Sequence, residues 1–143
     1  EISGYLQKVS APKDTDKERL LLKYSAKLTV IEKRTDFSIN KNTLFLIEIE
    51  NASENDWEQS DCDWLRAGCR VYKDEASSKI LLTEFRQELP QKMYRGQKIR
   101  VLFRIPYDLF SKGRYTLWFD LLNEGQFWFE DLGHKPLGEY IEV

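Results

Sequence analysis

From Arg114 to Leu122 the chain alternates with period two. Tyr115, Leu117, Phe119 and Leu121 are apolar, and Arg114, Thr116, Trp118, Asp120 and Leu122 fill the positions between them. Extended backbone sends successive side chains to opposite faces, so this run predicts a strand with one face buried. Gly113 precedes it, and Asn123-Glu124-Gly125 turns it back into Gln126-Phe127-Trp128-Phe129. The result is an antiparallel hairpin with more aromatic residues than one core face needs. A tryptophan on the solvent side, with an arginine and a carboxylate on the same face, has the composition of a binding surface.

The same period recurs along the chain. Short β-like runs cover Ala26 to Glu32, Thr43 to Glu50, Arg66 to Lys73, Ile80 to Phe85, Lys98 to Ile105, Arg114 to Leu122, Gln126 to Glu130 and Tyr140 to Val143. Turn-forming stretches separate them, among them Ile39-Asn40-Lys41-Asn42, Asn51 to Asp56 and Arg95-Gly96. Pro90 and Pro106 fall at the ends of runs, where a missing amide donor costs least. Eight short runs without a long helical pattern predict an all-β fold, an immunoglobulin-like antiparallel β-sandwich of seven to nine strands. Tyr115, at the entry of a late core strand, is placed for a tyrosine corner.

Residues 1–24 differ from the rest. Ser10 to Arg19 is polar and without alternation, and Leu20-Leu21-Leu22 suits a helical turn or an edge strand that docks on the domain or on a neighbouring subunit. The division expected is therefore a linker or docking segment over 1–24 and a sandwich over 25–143.

The 143 residues are enough for one domain to bury a core without a metal or disulfides. With 22 basic and 24 acidic residues the net charge is -2, which gives no excess of cations for phosphates, so nucleic-acid binding is not expected. No apolar run approaches the roughly 20 residues that span a bilayer, and Glu1 to Lys8 lacks a signal-peptide layout. Cys69 alternates with Ala67 and Val71 on an inward face, so Cys62 and Cys69 are expected as reduced thiols in a cytosolic setting. The single histidine, His134, sits in a turn and is expected to be solvated.

In an immunoglobulin-like sheet the third strand neighbours the strand after Gly113, so their outward residues share one face. That places Arg66, Arg70 and Tyr72 beside Arg114, Thr116, Trp118 and Asp120. Aromatic faces stack on the C–H side of a sugar ring, and a guanidinium fork suits a carboxylate, so the set fits an acidic glycan terminus. An interface with a second subunit or domain draws on the same residue types. In the loop Asp56 to Trp64, paired tryptophans suit a sugar clamp, while Trp57 also suits a cap on the core; Trp64 is the stronger binding candidate. Asp56, Glu58, Asp61 and Asp63 lack the glycine and spacing of an EF-hand, and no metal site or cofactor is expected. Between Phe127 and Phe129, Trp128 faces either opposite to them or inward in their place. Glu124 and Asp120 would serve a glycosidase only if they shared a face at a defined separation, and no nucleophile elbow or phosphate loop is present, so an enzyme is not expected.

Taken in order, Arg86-Gln87-Glu88-Leu89-Pro90, Arg95-Gly96, Ile105-Pro106, Gly113 to Leu121 and Glu124 to Phe129 resemble a module of bacterial polysaccharide-export and glycosyltransferase proteins. The resemblance covers about residues 43 to 143 and is to the C-terminal carbohydrate-binding domain of Wzt-type O-antigen ABC transporter ATPases. It implies a cytoplasmic sandwich that recognises the non-reducing end of a finished polysaccharide and works beside an ATPase domain and a transmembrane subunit. That places it at the inner membrane, as a homodimer. It also favours a structural role for Trp128. Val71 stands where such folds carry a tryptophan in the third strand, and the resemblance transfers no binding residues. On a glycosyltransferase the same module would be a structural or interaction domain.

Overall fold

The computed structural model describes residues 2–3, 5–6, 14–36, 41–76 and 78–143. Eight strands between Ala26 and Glu142 build two antiparallel sheets: β1 (Ala26–Asp36), β2 (Asn42–Asn51), β3 (Leu65–Asp74), β4 (Lys79–Glu88), β5 (Lys98–Pro106), β6 (Arg114–Asn123), β7 (Phe127–Trp128) and β8 (Leu137–Glu142). One sheet runs β1-β2-β5 and the other β8-β6-β3-β4, with β7 also on β6. In the constant-type immunoglobulin arrangement the fourth strand joins the sheet of the first, second and fifth; here β4 pairs with β3 instead.

Every expected run contains a strand, although the run Gln126 to Glu130 shrinks to Phe127–Trp128 before a 3-10 turn, and the alternation decides which side meets the core. On β6 the side chains of Tyr115, Leu117, Phe119 and Leu121 are fully buried. They face Phe45, Ile47 and Ile49 of β2 and Phe103 and Ile105 of β5 across the sandwich. Val71 of β3 fills the place of the missing tryptophan and is fully buried. The tyrosine corner is present: the Tyr115 hydroxyl donates to the Ser111 carbonyl at 2.7 Å. Cys62 and Cys69 are free and buried, and burial raises both thiol pKa values.

The N-terminal segment is more structured than a linker reading suggests. Asp14–Lys23 is a helix, α1, whose Leu20 and Leu21 are half-buried against the core while Leu22 is exposed. Of the 1–24 segment, residues 1, 4 and 7–13 lie outside the described residues, as do residues 39 and 40 of the turn expected at 39–42. His134 is half-buried rather than solvated. Its Nε2 accepts a hydrogen bond from Ala26 N at 3.3 Å, and its ring lies 5.8 Å from that of Phe129. It therefore pins the first residue of β1, and burial holds its pKa below the ordinary histidine value.

β7 and β8 occupy successive stretches of one edge of β6. β8 pairs with Arg114 to Phe119 and β7 with Leu122 and Asn123. Between them the chain makes a 3-10 turn, Phe129–Leu132, that crosses the edge opposite Asp120.

Candidate functional site

The outer face of the larger sheet carries the predicted set except Asp120, which is buried beneath the Phe129–Leu132 turn. Register places Arg66 beside Leu122, Arg70 beside Trp118 and Tyr72 beside Thr116, so β3 and β6 present their outward residues together. Trp118 lies outside the core and is partly exposed. Its ring rests on Gly138 of β8, where an added Cβ would come within 3.0 Å of the indole. Trp64 is not part of this face. It stands 60% exposed in the turn before β3 and lines a separate cleft with Asn123, Glu124 and Gln126.

Two side chains that the sequence reading left out complete the face. Phe129 is fully buried and Phe127 packs against the core, which turns Trp128 outward. The structural role expected for Trp128 is thereby refined, because its indole covers Gly68 and Leu122 on the outside of the sheet. A Cβ on Gly68 would come within 2.6 Å of the indole and 2.9 Å of Leu122. Arg86 is the other: its guanidinium carbon lies 5.1 Å from the Trp128 ring centroid, and that of Arg70 lies 4.3 Å away. Such stacks contribute about 0.5–2 kcal/mol each, more when water is excluded. They partly offset the burial of Arg70 Nε and Arg86 Nη1, neither of which has a hydrogen-bond acceptor.

Each arginine of the predicted set already holds an acceptor. Arg70 Nη2 meets Glu130 Oε1 at 2.8 Å. Arg114 Nε lies 3.4 Å from Asp74 Oδ2, with its guanidinium carbon 4.2 Å from the Tyr140 ring centroid. Arg66 Nη1 donates to the Leu65 carbonyl at 2.7 Å. Arg86 bridges Glu84 at 2.7 Å and Glu124 at 3.1 Å. The face is thus aromatic and charge-paired, and its cations are less available to an acidic ligand than the residue types alone suggest.

Among the described residues Asp120 is the one buried carboxyl, at 2% exposure. Desolvation pushes its pKa up to about 7, against the Glu130 and Leu121 backbone N–H groups (2.8 and 2.9 Å) and the charge of Arg70, which favour the ionised form. A raised carboxyl pKa stabilises the fold fully only below the ordinary value near 4, and that contribution is lost as pH rises through 7. Between pH 5 and pH 8 the wild-type chain should lose roughly 2–3 kcal/mol from this group. Asp120→Asn should remove that slope, as read by urea denaturation at each pH; parallel slopes for both proteins would show that Asp120 ionises normally.

The loop carboxylates are engaged individually. Asp56 Oδ1 accepts from Arg95 N at 2.8 Å, Glu58 pairs with Lys92 at 3.2 Å and Asp61 with Lys23 at 3.0 Å. Among the described residues no group of three His, Cys, Asp or Glu side chains is placed to hold a metal. Trp57 is fully buried, so of its two sequence readings the core cap is the one realised. Asp120 does not line the cleft of Glu124, and the two do not form an open carboxylate pair.

No family model matches this chain. No curated protein matches it either. Among solved structures it is similar to a β-glucosidase from Listeria innocua, with a TM-score of 0.45 and 11% identity over 83% of this chain and 16% of that one. It is also similar to a β-glucosidase involved in saponin metabolism from intestinal bacteria (0.43, 12%, 83% and 16%). A third is the β-glucosidase from Kluyveromyces marxianus in complex with glucose (0.43, 11%, 83% and 14%). The chain spans about a sixth or less of the length of these enzymes. Among the described residues no helix is long and apolar enough to cross a membrane.

Proposed function

We propose that this chain is a non-catalytic carbohydrate-binding domain that recognises the end of a bacterial polysaccharide for export by an ABC transporter. The observation that carries the binding part is the set of aromatic rings on the outer face, Trp118 and Trp128 on adjoining strands and Tyr72 and Tyr140 in register with Thr116, with Arg70 on the Trp128 ring. Rings held on a rigid sheet offer platforms for the C–H faces of sugars at low entropic cost. The transporter context rests on the sequence resemblance, and with it the cytoplasmic placement, the homodimer, the ATPase domain and the transmembrane subunit. Binding itself is the mechanism: occupancy of the face selects which chain proceeds. Affinity for one glycan end should be weak, because sugars bury little apolar area and their hydroxyls must be stripped of water.

A titration of the 143-residue chain with the source organism's surface polysaccharide tests this reading. Tryptophan fluorescence should change saturably, and Trp118→Ala should weaken binding about tenfold or more while leaving the fold intact. Full-strength binding by Trp118→Ala would take that residue out of the site, and no response from the wild type would defeat the reading.

One observation favours a second reading, an interaction domain of a glycosyltransferase. β4 is an edge strand with Ile80, Leu81 and Leu82 all exposed in succession, an arrangement that invites another protein surface. On that reading the polysaccharide leaves the fluorescence unchanged.

A further inference from the structure

At one end of the larger sheet, Trp64 and the β6-β7 turn form the cleft already described, lined by Trp64, Asn123, Glu124 and Gln126. The two sides are tied together: Glu124 N donates to the Trp64 carbonyl at 2.8 Å, and Gln126 N closes the turn onto the Asn123 carbonyl at 2.9 Å. At 60% exposure, Trp64 presents more of its surface than any core need explains. Its neighbours are two carboxamides and a carboxylate, planar groups that meet paired hydroxyls in the plane of a sugar ring. Neither the Asn123 nor the Gln126 side chain makes a hydrogen bond among the described residues, so both are available to a ligand.

Glu124 is held from behind. Arg86 Nε lies 3.1 Å from Oε2 and 3.4 Å from Oε1, and Nη2 lies 3.5 Å from Oε1. This fork keeps the carboxylate oriented, and a carboxylate has about four acceptor sites, so acceptor capacity remains on the cleft side. The charge of the cleft is therefore negative. The cation that contacts Glu124, Arg86, is shared with Glu84. Among the lining residues a sugar's carboxylate would meet Glu124 and no cation, whereas sugar hydroxyls would donate to it. The cleft volume, about 270 Å³, is below the roughly 300 Å³ at which pockets for drug-sized ligands begin, which suits a single ring.

We propose that this cleft is a subsite for one uncharged pyranose ring, stacked on the Trp64 indole with its hydroxyls on Asn123, Glu124 and Gln126. The inference rests on the glycan-binding reading and adds to it a second contact, apart from the rings around Trp118, and a selectivity against acidic sugars. The terminus recognised is accordingly neutral, in place of the acidic one that the arginine content predicts.

The test uses the 143-residue chain and simple probes: the methyl pyranosides of glucose, mannose and galactose, and the matching methyl uronides of glucose and galactose. The four tryptophans give four indole N–H resonances, so NMR titration reports which ring is touched. At least one neutral glycoside should shift the Trp64 resonance and bind about tenfold more tightly than its uronide. Trp64→Ala should abolish that binding, and Glu124→Gln should narrow the preference over the uronide. A uronide that binds as tightly as its neutral counterpart overturns the selectivity, and with it the proposal. Shifts confined to Trp118 and Trp128 remove the subsite but leave glycan binding on the sheet face standing. No shift of any indole with any probe removes both.

Discussion

Phe119→Ala should lower stability by about 3–5 kcal/mol, the largest loss expected from a single truncation in this chain. Phe119 is fully buried at the middle of β6, and its ring lies 5.2 Å from that of Phe45 on β2 and 5.2 Å from that of Phe103 on β5. It is thus the contact through which one sheet meets the central strand β2 and the edge strand β5 of the other. Truncation removes the transfer energy of the ring, one tilted and one edge-on aromatic contact and the filling of a site whose walls belong to opposite sheets and cannot easily close. Against a total stability of about 5–15 kcal/mol for a domain, the variant should sit near the unfolding threshold. Urea denaturation should show a large fall in midpoint at an unchanged slope. Trp118→Ala, one residue earlier on the opposite face, should cost only about 1 kcal/mol. Comparable losses for the two variants would contradict the assignment of the faces.

The alternation that separates Phe119 from Trp118 is also why the fold was legible from sequence. Where one face is buried, period two marks strand and side at once, and every expected run holds a strand, the run Gln126 to Glu130 only at Phe127–Trp128. The signal fades where both faces are wet. In β1, Ile31 to Thr35 are all exposed, so nothing in that stretch marks the extension to Asp36, which pairing with β2 enforces. Likewise β4 runs three residues past the expected Phe85, and that extension is what brings Arg86 onto the sheet. Trp128 was undecided by alternation alone; the burial of Phe129 decides it. The partners of the arginines were beyond local reading, because Glu130 reaches Arg70 across 60 residues and Glu124 reaches Arg86 across 38. A residue-type argument therefore located the face but overstated its free positive charge. Helix α1 stood open between a helical turn and an edge strand, because its apolar residues are crowded into Leu20-Leu21-Leu22, without the spacing that marks an amphipathic helix.

Trp57→Ala should cost about as much as Phe119→Ala, with a different signature, because Trp57 joins the helix to the sandwich. Its side chain is fully buried, its ring meets that of Phe129 edge-on at 6.2 Å, and its Nε1 donates to the carbonyl of Lys23, the last residue of α1, at 2.7 Å. Around it, Tyr24 stacks on Phe127 and Phe129 at 5.7 and 5.9 Å, its hydroxyl meeting Asp61 at 3.1 Å, and Lys23 pairs with Asp61 at 3.0 Å. Removing the indole leaves a cavity under the helix and a C-terminal carbonyl without its donor, so α1 should loosen before the sheets part. Trp57→Phe separates the two terms: it keeps most of the packing and loses only the donor, for about 1–3 kcal/mol. Limited trypsin digestion reads the helix directly through Lys17, Arg19 and Lys23. Cleavage there should accelerate strongly in Trp57→Ala and modestly in Trp57→Phe, while cleavage within β6 stays slow under native conditions. Unchanged cutting at these three sites in Trp57→Ala would mean that Leu20, Leu21 and Tyr24 hold the helix unaided, and that Trp57 serves the core alone.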